Sequence, residues 1–224
     1  MIPFRPSQMG IRQKINIPRM NLFLLLTFFS CADHTQAMAI DTAAYYEEIA
    51  AYRSGAIQSL WQSERQPILS GDTIHLHFFN PDIEYRMPCR LKIIRDPQPF
   101  EMATYSGLVQ KYIPYGVLEI EHQGQNFSME VYQNYELLKS EEYSDYLFLP
   151  FKDHTNGETT YGGGRYLNLS AIKIKEEGCM VDFNKAYNPW CAYRDGFNCP
   201  IPPVANHLEF EIRAGEKIFT GFPE

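Results

Sequence analysis

The chain has 224 residues, enough for one domain with a substantial core and short for two. Its 15 Tyr and 15 Phe against two Trp, with Gly and Pro recurring throughout, favour short strands joined by turns. The formal charge is −7 and no Lys/Arg cluster stands beyond the first 31 residues, which argues against nucleic acid as a partner.

Residues 1–31 carry Arg5, Arg12, Lys14 and Arg19 and no acidic residue. An apolar run over 22–29 follows, then Ser30-Cys31. A positive segment, a short apolar run and a small residue at the cut make a secretory signal peptide. The run is too short for a membrane-spanning helix, which needs roughly 20 residues. Ser30-Cys31 resembles the lipobox of bacterial lipoproteins, in which the Cys is diacylated and becomes the mature N-terminus; Phe28 and Phe29 depart from that pattern. The expectation is lipidation at Cys31, a membrane partner held only through that anchor, and a place in the bacterial cell envelope, periplasmic or surface-exposed. Removing the four basic residues takes the formal charge from −7 to −11, which argues against electrostatic docking on anionic headgroups.

Residues 32–40 read as a tether and 41–224 as a single β-rich domain. One helix is predicted first: Asp41 or Thr42 caps it, and Tyr45, Ile49, Tyr52, Ala56 and Leu60 recur at three- to four-residue spacing. Gly55 weakens its middle by about 1 kcal/mol relative to Ala. From Ile74 the period changes to two, with Ile74, Leu76 and Phe78 alternating with His75 and His77. Asn80-Pro81-Asp82 turns the chain, and a second strand runs from Tyr85 to Ile94. Residues 95–99 form a loop. The clearest hairpin spans Val117 to Tyr132 around Gln123-Gly124-Gln125. Further strands are predicted at 146–151, 165–174, 179–183 and 207–213. The fold class is mainly β: an antiparallel barrel or sandwich with one N-terminal helix.

Five Cys are present. Cys191 and Cys199 stand eight apart in a Pro-rich loop and suit a local disulfide in an oxidising compartment. Cys89 and Cys179 lie in apolar strand patterns and read as small buried hydrophobes. A zinc site from Cys179, Cys191, Cys199 and His207 lacks the usual short ligand pairs. No metal or cofactor is expected.

Two polar, Gly/Pro-rich segments carry the chemistry. The first runs over 150–166 and includes Asp153, Glu158, Tyr161, Gly162-Gly163-Gly164 and Arg165. The second runs over 182–193 and includes Asp182, Asn184, Tyr187 and Asn188, followed by Cys199-Pro200-Ile201-Pro202-Pro203. If they meet, Arg165 presents a planar donor fork suited to a carboxylate or phosphate, with Tyr161, Asn184, Tyr187 and Asn188 beside it. Alternatively, Arg165 pairs with Asp153 or Asp182, and the Asn side chains tie loop backbone together.

These motifs resemble the bacterial family catalogued as domain of unknown function 1684. Residues 151–166, 182–193 and 199–203 match its long motifs, Ala214-Gly215-Glu216-Lys217 matches a further piece, and Tyr85-Arg86 fits its turn and Tyr-Arg pair. His207 departs from it, since Arg usually follows the Asn there. The resemblance covers nearly the whole mature chain and implies no established activity. The leading functional expectation is therefore a pocket binding a small anionic or polyhydroxylated ligand. The competing expectations are a hydrolase using Asp153 or Asp182 as general base, and a structural or interaction module with no small-molecule site.

Overall fold

A computed structural model of the chain describes residues 41–221; the expected signal segment, the tether and Cys31 lie outside them. Helix α1 (Thr42–Gln62) starts where Asp41 accepts hydrogen bonds from the backbone N–H of Ala43 and Ala44, and Gly55 does not interrupt it. Seven strands follow: β1 (Arg86–Ile93), β2 (Phe100–Ala103), β3 (Val109–His122), β4 (Gln125–Asn134), β5 (Tyr146–Phe151), β6 (Arg165–Ser170) and β7 (Met180–Asp182). A short helix α2 (Ala171–Glu177) lies between the last two.

The strands form one antiparallel sheet in the order β6-β5-β4-β3-β1-β7, with β2 paired to the first part of β3. After β7 the chain makes a 3-10 turn over Phe183–Lys185. It then reaches β6, where the Tyr166 and Tyr187 backbones exchange both N–H···O bonds. The sheet thus curls into a nearly closed antiparallel barrel. At Gly116 the register between β3 and β4 shifts, and an added Cβ would meet Leu91 Cδ1 at 2.7 Å and the Lys92 carbonyl at 2.8 Å. The β3–β4 hairpin turns on Gln123-Gly124, both at positive φ, a pair of conformations that matches the twist of the flanking strands.

Period-two alternation sorts side chains into two sets. Inside the barrel lie Leu118, Ile120, Met129, Val131, Leu147 and Leu149, with Phe151, Leu167 and Phe183 around them. On the outer face of β3–β6 a second cluster forms from Tyr112, Tyr132, Phe148 and Tyr166, flanked by Tyr146 and Tyr187.

Four expectations are corrected. Residues 70–75 form a 3-10 helix rather than the start of a strand at Ile74. Residues 171–174 belong to α2, because Ser170 caps a helix by accepting from Lys173 N–H. Residues 207–213 form no strand; they run alongside the barrel with an isolated bridge from Lys152 to His207. Cys89 and Cys179 are not free hydrophobes: they form a disulfide between β1 and the residue just before β7, 90 positions apart in sequence. The Cys191–Cys199 disulfide is present as well, so the thiols that a zinc site would require are spent.

Candidate functional site

The two polar segments do pack together, through the Tyr166–Tyr187 pairing and a third strip of chain, residues 212–218. Glu216 N–H donates to the Ala186 carbonyl and Ile218 N–H to the Thr159 carbonyl, so the strip stitches one segment to the other. Gly215 permits this at φ +77: a Cβ there would stand 2.6 Å from the Ala186 carbonyl oxygen. Of the three consecutive glycines, Gly164 is the one at positive φ, with the Phe151 carbonyl 2.6 Å from where a Cβ would sit.

Arg165 does not reach solvent. Its side chain points into the barrel and is fully buried over the Phe151 ring. Its Nη2 donates to Asp153 Oδ2 and to the Ile212 carbonyl, both at 2.8 Å, and its Nη1 donates to the carbonyls of Ala214 and Glu216. Burial pushes its pKa down and Asp153 pulls it back, and a guanidinium in this setting keeps its charge. Asp153 is equally sealed; its second oxygen accepts from Thr155 N–H, the Thr155 hydroxyl and Ile212 N–H. The expected anion anchor is thus a closed internal ion pair that holds the strip 212–216 against the barrel. Asp153 has no open lone pair facing solvent with which to act as a base.

Asp182 is placed similarly. Its Oδ1 accepts from Tyr45 of α1 at 2.9 Å and from Asn184 N–H at 3.1 Å, while Lys185 Nζ stands 3.7 Å from Oδ2. Asn184 clasps the backbone of Asp82 from both sides and also donates to Tyr45. Asn188 donates from its backbone and its amide to the Glu216 carboxylate and again to the Lys217 carbonyl. The bonds that these groups make run to loop backbone, to α1 and to the buried Glu216 carboxylate. The reading in which the Asn side chains tie the loops together is the one that the geometry supports.

Open space lies elsewhere, between α1 and the segments just described. The stripe on α1 explains it. Tyr45 and Ile49 bury against the barrel, whereas Tyr52, Ala56 and Leu60 face a cavity of about 590 Å³. Its other walls include Phe78, Asn168, Tyr187, Trp190 and Tyr193. Two predicted residues, Asn184 and Tyr187, line it; Tyr161, Arg165 and Asn188 do not. Sequence reasoning missed Arg53, Arg65, Asn168 and Glu216. The Ala-Gly-Glu-Lys match and the lone Asn in apolar β6 were the available signals.

The cavity's electrostatics are asymmetric. Arg53 donates only to carbonyls, those of Phe79 at 2.9 Å and Asn184 at 3.3 Å, and its guanidinium stands 4.8 Å from the Phe78 ring centroid. Desolvation lowers its pKa. Arg65 lies over Trp190 and Phe197, one ring just before and the other within the loop that the Cys191–Cys199 disulfide closes. Among the described residues neither guanidinium forms an ion pair with a carboxylate. Lys185 is compensated by Glu48 at 2.6 Å. Glu64 is an exposed lining residue, and Glu216 is buried at the base. Glu216 accepts from Asn188 and from the Tyr193 hydroxyl, yet burial pushes its carboxyl up to about 7. Among the described residues no group of three or more His, Cys, Asp or Glu is arranged to hold a metal ion, and no helix is long and apolar enough to cross a membrane.

The family model described as "Protein of unknown function (DUF1684)" matches residues 74–217. The chain is similar to an uncharacterized protein of Haloarcula marismortui whose solution NMR structure superposes with a TM-score of 0.60. The two are 28% identical, and the match covers 79% of this chain and 96% of that one. No curated protein matches the chain.

Proposed function

We propose, for a chain that belongs to the DUF1684 family, that the domain binds a small organic anion in the cavity beneath α1. One observation carries this reading: a cavity of about 590 Å³, walled by aromatic rings, has at its α1 side two guanidinium groups that form no ion pair with a carboxylate among the described residues. Ligand pockets typically measure about 300–1,000 Å³ and combine apolar walls with a few placed polar groups. An apolar body would lie against Tyr52, Tyr187 and Trp190. Its negative charge would offset the partly desolvated Arg53 and the ring-stacked Arg65. The hydrolase reading loses its candidate bases, because Asp153 spends both oxygens on structural bonds and Asp182, with Oδ1 bonded to Tyr45 and Oδ2 buried beside Lys185, does not line the cavity.

The test uses 1-anilinonaphthalene-8-sulfonate, an anion with a ring body. In a Trp61→Phe background Trp190 is the single indole. Saturable, one-to-one quenching of its fluorescence is expected, and Ala56→Phe, which puts a ring into the cavity, should weaken binding at least tenfold without changing the circular dichroism. Unchanged affinity in Ala56→Phe would contradict the proposal.

The same reading holds the domain outside the cytoplasm on a lipid at Cys31. It is supported by the signal-like leader and by two disulfides, which suit an oxidising compartment. Metabolic palmitate labelling should be lost in Cys31→Ala; labelling that persists would refute the anchor.

A further inference from the structure

We infer that Asn168 is the specificity-determining polar group of this cavity, a fixed hydrogen-bond donor that selects ligands with an oxygen acceptor at the end away from the anionic head. The inference rests on the binding reading above and adds a second recognition point to it. Asn168 sits on β6 with its side chain on the outer, aromatic face, between Tyr146 and Tyr187. The Tyr146 hydroxyl donates to its Oδ1 at 2.8 Å and the Tyr187 hydroxyl at 2.7 Å. Burial raises the pKa of both phenols, so each keeps a proton that needs an acceptor. With Oδ1 as the shared acceptor of the two hydroxyls, the carboxamide nitrogen is turned away from them.

The consequence is a pre-aimed N–H₂ group. Among the described residues Asn168 Nδ2 has no protein acceptor, and it is not sealed away with the unsatisfied buried atoms. The residue is half-buried in the cavity wall. A turned carboxamide would have to donate to both phenol oxygens and displace their protons, whereas the orientation in which Oδ1 accepts from both satisfies all three groups and leaves the donor aimed before any ligand arrives. Arg53 and Arg65 belong to the α1 side and Asn168 to the barrel side, which separates the site for charge from the site for a neutral acceptor. The ligand class is therefore an elongated, ring-bearing anion with a carbonyl, ether or hydroxyl oxygen on its far end. A site that hydrogen-bonds a ligand oxygen discriminates against the analogue that lacks it, because the ligand must then strip water from the donor without replacing it.

Two probes of nearly equal shape test this: 6-acetyl-2-naphthoate, which carries an acceptor, and 6-isopropyl-2-naphthoate, which does not. Calorimetric titration of the wild-type protein should favour the acetyl compound about fivefold, as one net hydrogen bond implies. Asn168→Leu should erase that preference, so that the two compounds bind alike. Asn168→Asp, which keeps an oxygen for both tyrosines but offers no donor, should erase it too. Equal binding of the two probes by the wild type would overturn the Asn168 inference and leave the cavity reading intact. A preference that persists in both variants would overturn it in the same way. Failure of the wild type to bind either probe would overturn both.

Discussion

At the scale of single residues, the buried polar groups divide into those that close the fold and those that face the cavity. Arg165 and Asp153 illustrate the first kind. A guanidinium in a barrel interior is tolerable only when nearly every donor finds an acceptor. Here one carboxylate and three carbonyls accept from its two terminal nitrogens. Glu216 sits at the junction of the two kinds. Its carboxyl, pushed up to about 7 by burial, holds a proton in the folded chain at pH values where the unfolded chain has lost it. Stability from this group is therefore full below pH 4.5 and is lost as pH rises through 7. At 1.36 kcal/mol per pKa unit the loss is on the order of 3 kcal/mol. Urea unfolding of wild type and Glu216→Gln across pH 4–8 should show their stability difference moving against the wild type by that amount. A difference that stays flat with pH would contradict the account of Glu216.

At the scale of elements, legibility in the sequence follows how local the cause is. Helix α1 was readable because its cap and its apolar stripe lie within its own residues. The β3–β4 hairpin was readable from clean alternation around Gln123-Gly124, and β5 matched its predicted span, 146–151. The alternation at 74–78 misled for an equally local reason: Asp72 accepts from Leu69 N–H at 2.7 Å and Thr73 donates to the Ser70 carbonyl at 2.9 Å, and these bonds coil the chain. Strand β2, four residues at a charged edge, carries too short a pattern to recognise. The Cys89–Cys179 bond depends on β1 and β7 being neighbours, with Pro88 opposite Met180, a pairing that no spacing rule contains. The polar segments stood out in sequence, but their meeting was only a condition there. Which of their groups face inward was not readable, because Arg165 takes its direction from the pleat of β6.

At the scale of the whole molecule, the barrel, α1 and the strip 212–218 leave a void beneath the second half of the helix. Its first turns seal against the barrel, and its later residues Tyr52, Ala56 and Leu60 line the cavity. A stripe of this kind reads in sequence as one more core face. The cavity is therefore a property of the assembled molecule, and the binding reading depends on it. The most direct measurement is a two-dimensional ¹H–¹⁵N NMR titration of the protein with 1-anilinonaphthalene-8-sulfonate. The account predicts saturable shifts centred on the amides of Tyr52, Ala56, Tyr187, Trp190 and Tyr193. Shifts confined to the β3–β4 hairpin, or none at all, would contradict it.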